Sequence, residues 1–118
     1  MGTVAGHAVD LNNIEDLRRR LELSEAEIAA VVGVNPSTLW RWREGRSAPR
    51  GMARSRLAQL EELRNLLRQV FDGPDLARRW LRSAYPEMLG GEATPLDVML
   101  GGRIDRVLTV LQFLARGA

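Results

Sequence analysis

The sequence predicts an all-α protein: an N-terminal helix-turn-helix domain, a long connecting helix, and a C-terminal three-helix segment. Three observations lead there. Two short stretches of helical apolar spacing meet at Gly33. A single long periodic stretch runs from about Met52 to Phe71. Beyond Asp72-Gly73-Pro74 the helix starts and stops crowd together. These features divide the chain into an arm (1–11), a helix-turn-helix domain (12–50), a connecting and dimerisation helix (51–72) and a C-terminal unit (73–118).

Residues 1–11 read as a flexible arm. Asn12 is placed to cap a helix running to about Leu21, with Glu15 completing a capping box and Ile14, Leu17 and Leu21 on one face. Arg18, Arg19 and Arg20 fall on its outer surface. Ser24 opens the next helix, because its hydroxyl can accept an orphan backbone N–H while Glu27 reaches back. Ile28, Val31 and Val32 repeat at helical spacing, and Ala29 leaves room for a close crossing. Gly33 stands where a helix end needs a positive φ. Asn35 then caps a second helix with Pro36 at its first position. On its wheel Leu39 and Trp42 point inward, and Ser37, Trp40, Arg41 and Glu44 point outward. Gly45 ends it, and Pro49 marks a loop.

The apolar residues of the long segment, from Ala53 and Leu57 to Val70 and Phe71, cover about half the wheel, more than the roughly 100° stripe one neighbour requires. That surplus predicts contact beyond its own domain, with the C-terminal region or a second subunit, and both are expected. After the break, residues 75–83 form a short helix with Leu76, Trp80 and Leu81 inward, stopped by Tyr85-Pro86 and a turn at Gly90-Gly91. Thr94-Pro95-Leu96-Asp97 supplies a cap, a proline at the first position and an acid at the third. A last helix from Arg103 to Ala115 gathers Ile104, Val107, Leu108, Leu111 and Ala115 on one face. Beside that face Arg103, Arg106, Val110, Phe113 and Leu114 make a second strip, with the composition of an interface hot spot or of packing against the long helix or a dimer mate.

Composition narrows the function classes. The 118 residues suffice for one modest core, and 45% of them are hydrophobic. No apolar run is long enough to span a bilayer and no signal peptide opens the chain, so a cytoplasmic location is expected. Cysteine is absent and the one histidine, His7, lies in the Gly- and Ala-rich arm; nucleophilic catalysis and most zinc sites are therefore excluded. Paired carboxylates such as Glu61-Glu62 read as a solvated helix face. No enzyme, metal or cofactor is expected. All seventeen basic residues are arginine, yet the net charge is only +2. Six of them fall within residues 41–56 against Glu44 alone, directly after the outward-facing helix. Phosphate contacts would be wanted there.

The residues Leu23-Ser24, Glu27, Ala29, Gly33-Val34, Ser37-Thr38, Arg41-Trp42, Gly45 and Pro49 resemble the helix-turn-helix of the Xre/Cro repressor superfamily. An ordinary αα-hairpin is the alternative. The resemblance implies that the helix from about Pro36 to Glu44 is a recognition helix for double-stranded operator DNA. Ser37, Thr38, Trp40 and Arg41 would then meet base edges, and Arg43, Arg46, Arg50 and Arg54 phosphates. Trp40 is unusual on a groove-facing side and has two readings, contact with a thymine methyl or burial in a subunit interface. A homodimer is expected, since one recognition helix reads too few base pairs.

The C-terminal unit resembles the toxin-binding domain of Xre/MbcA/ParS-type antitoxins, through Trp80-Leu81, Pro86, Leu89-Gly90-Gly91, Thr94-Pro95-Leu96-Asp97, Gly102, Arg106-Val107 and Gly117. That resemblance implies a type II antitoxin that represses its own operon and neutralises a RES-domain toxin acting on NAD, with the end of the last helix and the tail plugging the toxin's NAD pocket. Arg103, Arg106, Val110, Phe113, Leu114, Gly117 and Ala118 would be the toxin-binding residues. The sequence departs from the pattern at Gly117-Ala118, where many members continue with a few apolar residues. A plain Xre-type regulator whose C-terminal segment only dimerises is the first alternative, and an adaptor that binds protein but not DNA is the second.

Overall fold

A computed structural model describes residues 11–117, without the side chains of residues 11–14, 87 and 88. The helices in chain order are α1 (Leu11–Leu21), α2 (Glu25–Val32), α3 (Pro36–Arg43), α4 (Gly51–Val70), α5 (Pro74–Leu81), α6 (Pro86–Leu89), α7 (Pro95–Leu100) and α8 (Ile104–Ala115). No strand occurs among the described residues. The arm at 1–10 and the side chains of Asn12 and Ile14 lie outside them.

Helix α1 starts at Leu11, so Asn12 sits in its first turn rather than at its cap. Glu15 turns instead to Arg18 and Arg43, at 3.1 and 3.0 Å. Arg18 is accordingly half-buried, not on the outer surface with Arg19 and Arg20. The helix ends on Glu22, a non-glycine residue at φ 57, and Leu23 N–H closes the last turn on the Arg18 carbonyl at 2.9 Å. L-residues are strained in that region. Glu22→Gly should therefore raise stability by about 0.5–1 kcal/mol, read as a higher urea midpoint at unchanged slope.

The other orphan carbonyls at this end are satisfied from far along the chain. Arg78 donates to the Arg20 carbonyl at 2.6 Å, and Arg82 donates to those of Leu21 and Glu22 at 3.0 and 2.9 Å. Two cations at a helix C-terminus also suit its dipole. The C-terminal unit is thereby fastened to α1.

Helix α4 is the axis of the molecule. Leu57, Leu60, Leu63, Leu66 and Leu67 are all buried, and α4 packs on α1, α2, α5 and most extensively α8. The leucines of its apolar half are thus covered within one chain, while Ala53, Val70 and Phe71 remain half-buried. In α5 the buried positions are Ala77 and Leu81, while Leu76 is 44% exposed, contrary to its expected inward placement. The buried face centres on Ala77 and Leu81, which are i, i+4 neighbours, and Leu76 lies about 100° round from Ala77. Trp80 is half-buried between Phe71 and Tyr85, with ring centroids 5.4 and 5.9 Å away.

The stretch after Tyr85-Pro86 is more than a stop and a turn. It winds one further turn of helix, α6, which packs against α8. Thr94 opens α7 with the full capping box: its hydroxyl accepts the Asp97 N–H at 3.0 Å, and its own N–H donates to the Asp97 carboxylate at 3.2 Å. A continuous cluster runs from Leu17 and Ile28 through Leu60 and Leu63 to Met99 and Leu111. Gly73, at φ 103, is a turn across which that core continues.

Candidate DNA-facing and partner-facing surfaces

Helix α3 is presented by the two elements before it. Ser24 accepts the Glu27 N–H at 3.0 Å and donates its own to the Glu27 carboxylate at 2.8 Å, which sets the start of α2. At the other end the N–H groups of Gly33 and Val34 both reach the Ala29 carbonyl, and Gly33 adopts φ 87. Asn35 occupies the N-cap with extended backbone but makes no side-chain capping bond; its carbonyl accepts from Thr38 N–H at 2.9 Å and Leu39 N–H at 3.4 Å. Pro36 and the buried anchors Leu39 and Trp42 then fix the rotation of α3.

With those two inside, Ser37, Trp40, Arg41 and Glu44 are exposed on the outer side and Thr38 is half-buried beside them. Arg41 lies against Thr38, its Nη2 at 3.4 Å from Oγ1. Gly45, at φ 73, lets the chain double back, and Arg46 N–H closes on the Arg41 carbonyl at 2.8 Å. The Arg46 guanidinium thereby comes over the Trp40 ring, 5.0 Å from its centroid. Arg46, Arg50 and Arg54 are exposed and have no carboxylate partner among the described residues.

Arg43 has a different place. Its guanidinium is held by Glu25 at 2.7 Å and by Glu15 at 3.0 Å, which ties α1, α2 and α3 together. We therefore assign Arg43 to orienting α3 rather than to phosphate. No local signal marked this, because its carboxylates lie 18 and 28 residues away in sequence. The hydrogen bond from Arg18, with the nearby charges of Arg18, Arg43 and Arg19, holds the Glu15 carboxyl below its ordinary value of 4.5 despite some burial. A depressed carboxylate stabilises the fold above the unfolded-state value, and loses that contribution as pH falls through the folded one. The stability gap between wild type and Arg18→Ala should thus be full at neutral pH and shrink below about pH 4.5 in thermal melts. A gap that stayed constant with acid would exclude this linkage.

Arg56, which belongs to the basic cluster but was given no site role, donates to the Val31 carbonyl at 3.4 Å. A Cβ at Gly33 or Gly102 would meet its Nη1 at 3.8 or 3.6 Å. It bridges the turn before α3 to the turn before α8.

On α8 the expected strip is divided. Arg103 and Arg106 are exposed at one end; Phe113, 39% exposed, and half-buried Leu114 stand at the other, followed by exposed Gly117. Val110 between them is only 3% exposed. It is a core residue rather than part of a free surface. Arg103 donates to Asp105 at 3.4 Å and lowers that carboxyl's pKa, mainly by the hydrogen bond; Arg106 has no carboxylate partner among the described residues. Ala118 lies outside the described residues.

A groove of about 240 Å³ runs between α1, the end of α4 and the start of α5, floored by Leu17, Leu21, Leu67 and Phe71. Among the described residues no group of three or more His, Cys, Asp or Glu side chains is placed to hold a metal, and no helix is long and apolar enough to cross a membrane.

The fold and these two surfaces define a class: a small all-α protein with an outward-facing third helix and a C-terminal helical unit locked onto it. Residues 66–117 match the antitoxin Xre/MbcA/ParS C-terminal toxin-binding domain. The mycobacterial cidal antitoxins MbcA of Mycobacterium tuberculosis and Mycobacterium bovis are 30% identical to this chain over 98 residues, spanning 83% of it and 84% of their own length. The structure is similar to a chain in the crystal structure of the M. tuberculosis MbcT–MbcA toxin–antitoxin complex, with a TM-score of 0.64 and 26% identity over 89% of this chain and 92% of that one. The chain belongs to the Xre/MbcA/ParS family of antitoxins.

Proposed function

We propose that this chain is the antitoxin of a type II toxin–antitoxin pair, that it neutralises a RES-domain toxin acting on NAD by direct binding, and that as a homodimer it represses its own operon. One observation carries the reading: the likeness to an antitoxin solved with its toxin extends over nine-tenths of the chain, the toxin-binding domain included. Residues 12–50 serve as the DNA-binding domain, 51–72 as the connecting helix, and 73–118 as the toxin-binding domain.

Toxin contact would fall to Phe113, Leu114, Gly117 and Ala118 at the end of α8, with Arg103 and Arg106 at its start. The test is co-expression with the product of the adjacent reading frame. A stoichiometric complex and relief of toxicity are expected; neither would follow for a regulator whose C-terminal unit only dimerises.

On DNA, α3 would enter the major groove with Ser37, Thr38, Trp40 and Arg41 at base edges, and Arg46, Arg50 and Arg54 would take phosphates. The support is the exposure of all but the half-buried Thr38, and the absence of carboxylate partners for the three arginines among the described residues. Arg41→Ala should cost about 1–3 kcal/mol at the preferred site and little on random DNA. Arg50→Ala should weaken binding to every sequence and lower the salt slope of log K by roughly one. Equal loss of operator and random DNA in Arg41→Ala would make it a phosphate contact instead.

A further inference from the structure

Trp40 is 45% exposed on a helix face that is otherwise polar. A lone exposed aromatic is ordinary in itself, and what singles out Trp40 is the charged group resting on it. Leu39 and Trp42 already anchor α3 in the core, so the indole is not needed to fix the helix. One side of the indole is covered by the Arg46 guanidinium, brought there by the positive φ of Gly45. A guanidinium held over a ring by cation–π attraction keeps N–H donors available for other partners. Among the described residues no carboxylate uses them. What remains is an exposed indole on the same helix face as Ser37 and Arg41, next to an exposed cation.

We infer that Trp40 and Arg46 are a single element of DNA readout, in which the indole covers a thymine methyl while holding Arg46 to an adjacent phosphate. This rests on the DNA-binding reading above. The chemistry selects the base. Among the base edges of the major groove the 5-methyl of thymine is the prominent apolar group, so an apolar edge placed there gains most from thymine. The phosphate follows from the stack, since Arg46 is positioned by Trp40 and lies at the rim of α3 rather than at its centre. Trp40 is then a specificity-determining residue and a positioning residue together.

The preferred site is first selected from random-sequence duplexes, and deoxyuridine is then substituted for thymidine one position at a time. Wild type should lose about fourfold in affinity at one position in each half-site, the worth of one buried methyl. Trp40→Ala should bind more weakly and no longer distinguish thymidine from deoxyuridine, with Trp40→Phe intermediate. Trp40→Ala and Arg46→Ala should each lower the salt slope, and the double variant should lower it no further than Arg46→Ala alone. Their melting curves should match wild type, since both side chains are exposed.

Wild-type operator binding that ignores every deoxyuridine, or salt slopes that fall additively, would overturn the inference while leaving DNA binding in place. A protein that selects no site at all would overturn the DNA-binding reading itself. If Trp40→Ala converts a dimer to a monomer in sedimentation, Trp40 belongs to a subunit interface and the inference fails on that ground.

Discussion

Phe113→Asp should abolish toxin neutralisation while DNA binding and the melting temperature stay close to wild type. Phe113 projects from the last turns of α8 with 39% of its surface exposed, beside half-buried Leu114. In the isolated antitoxin a carboxylate there remains in water, and the change should cost about 1 kcal/mol or less. Against the apolar surface of a bound toxin the same carboxylate would have to be desolvated, which costs several kcal/mol without a partner. Several kcal/mol is a factor of a thousand or so in affinity, enough to turn a stoichiometric complex into none. Melting and gel shift on one side, with toxicity rescue and pull-down on the other, give the comparison. A variant that melts early and loses DNA binding would place Phe113 among the packing residues. Val110→Asp is the contrast: at a buried position, it should disrupt the fold as well as the complex.

Leu111→Ala should have the largest effect on stability, and should act on both halves at once. Leu111 is fully buried where α8 lies along α4, the most extensive helix pair in the molecule. Truncating such a leucine costs about 2–5 kcal/mol, against a total stability of about 5–15 for a domain of ordinary size. The melting temperature should drop by about 10 °C or more. Because the core runs unbroken from α1 to α8, DNA binding and helical signal should be lost in the same transition. If DNA binding outlasted the loss of the C-terminal helices on heating, the halves would be separate folding units, and the arginine clamp from Arg78 and Arg82 to the end of α1 would carry little weight.

The candidate DNA surface was legible in the sequence because its signals are local. Ser24 with Glu27, Gly33, Pro36 and the spacing of Leu39 and Trp42 fix two helix ends, a turn and a rotation, and together they decide which side of α3 faces out. The pairing of Arg43 was not legible, for the converse reason. The residue sits among outward arginines in sequence, yet two carboxylates from other helices claim it. Charge pattern alone cannot tell an arginine facing solvent from one facing a carboxylate folded in from elsewhere. Val110 and Leu76 failed similarly, one buried by the tertiary packing, the other turned outward by a face centred on Ala77 and Leu81.

The sequence by itself determined the all-α class, most helix boundaries, the break at Gly73 and the resemblance to an antitoxin. Each depends on residues within one or two turns of each other, where backbone capping, positive φ and 3.6-residue periodicity act. Only the tertiary structure decided that α4 buries the leucines of its apolar half within one chain, that Arg78 and Arg82 cap α1 from about sixty residues away, and that Arg46 comes to rest on Trp40. Those contacts depend on how helices cross, and crossing is set by the packing of whole faces rather than by any local pattern.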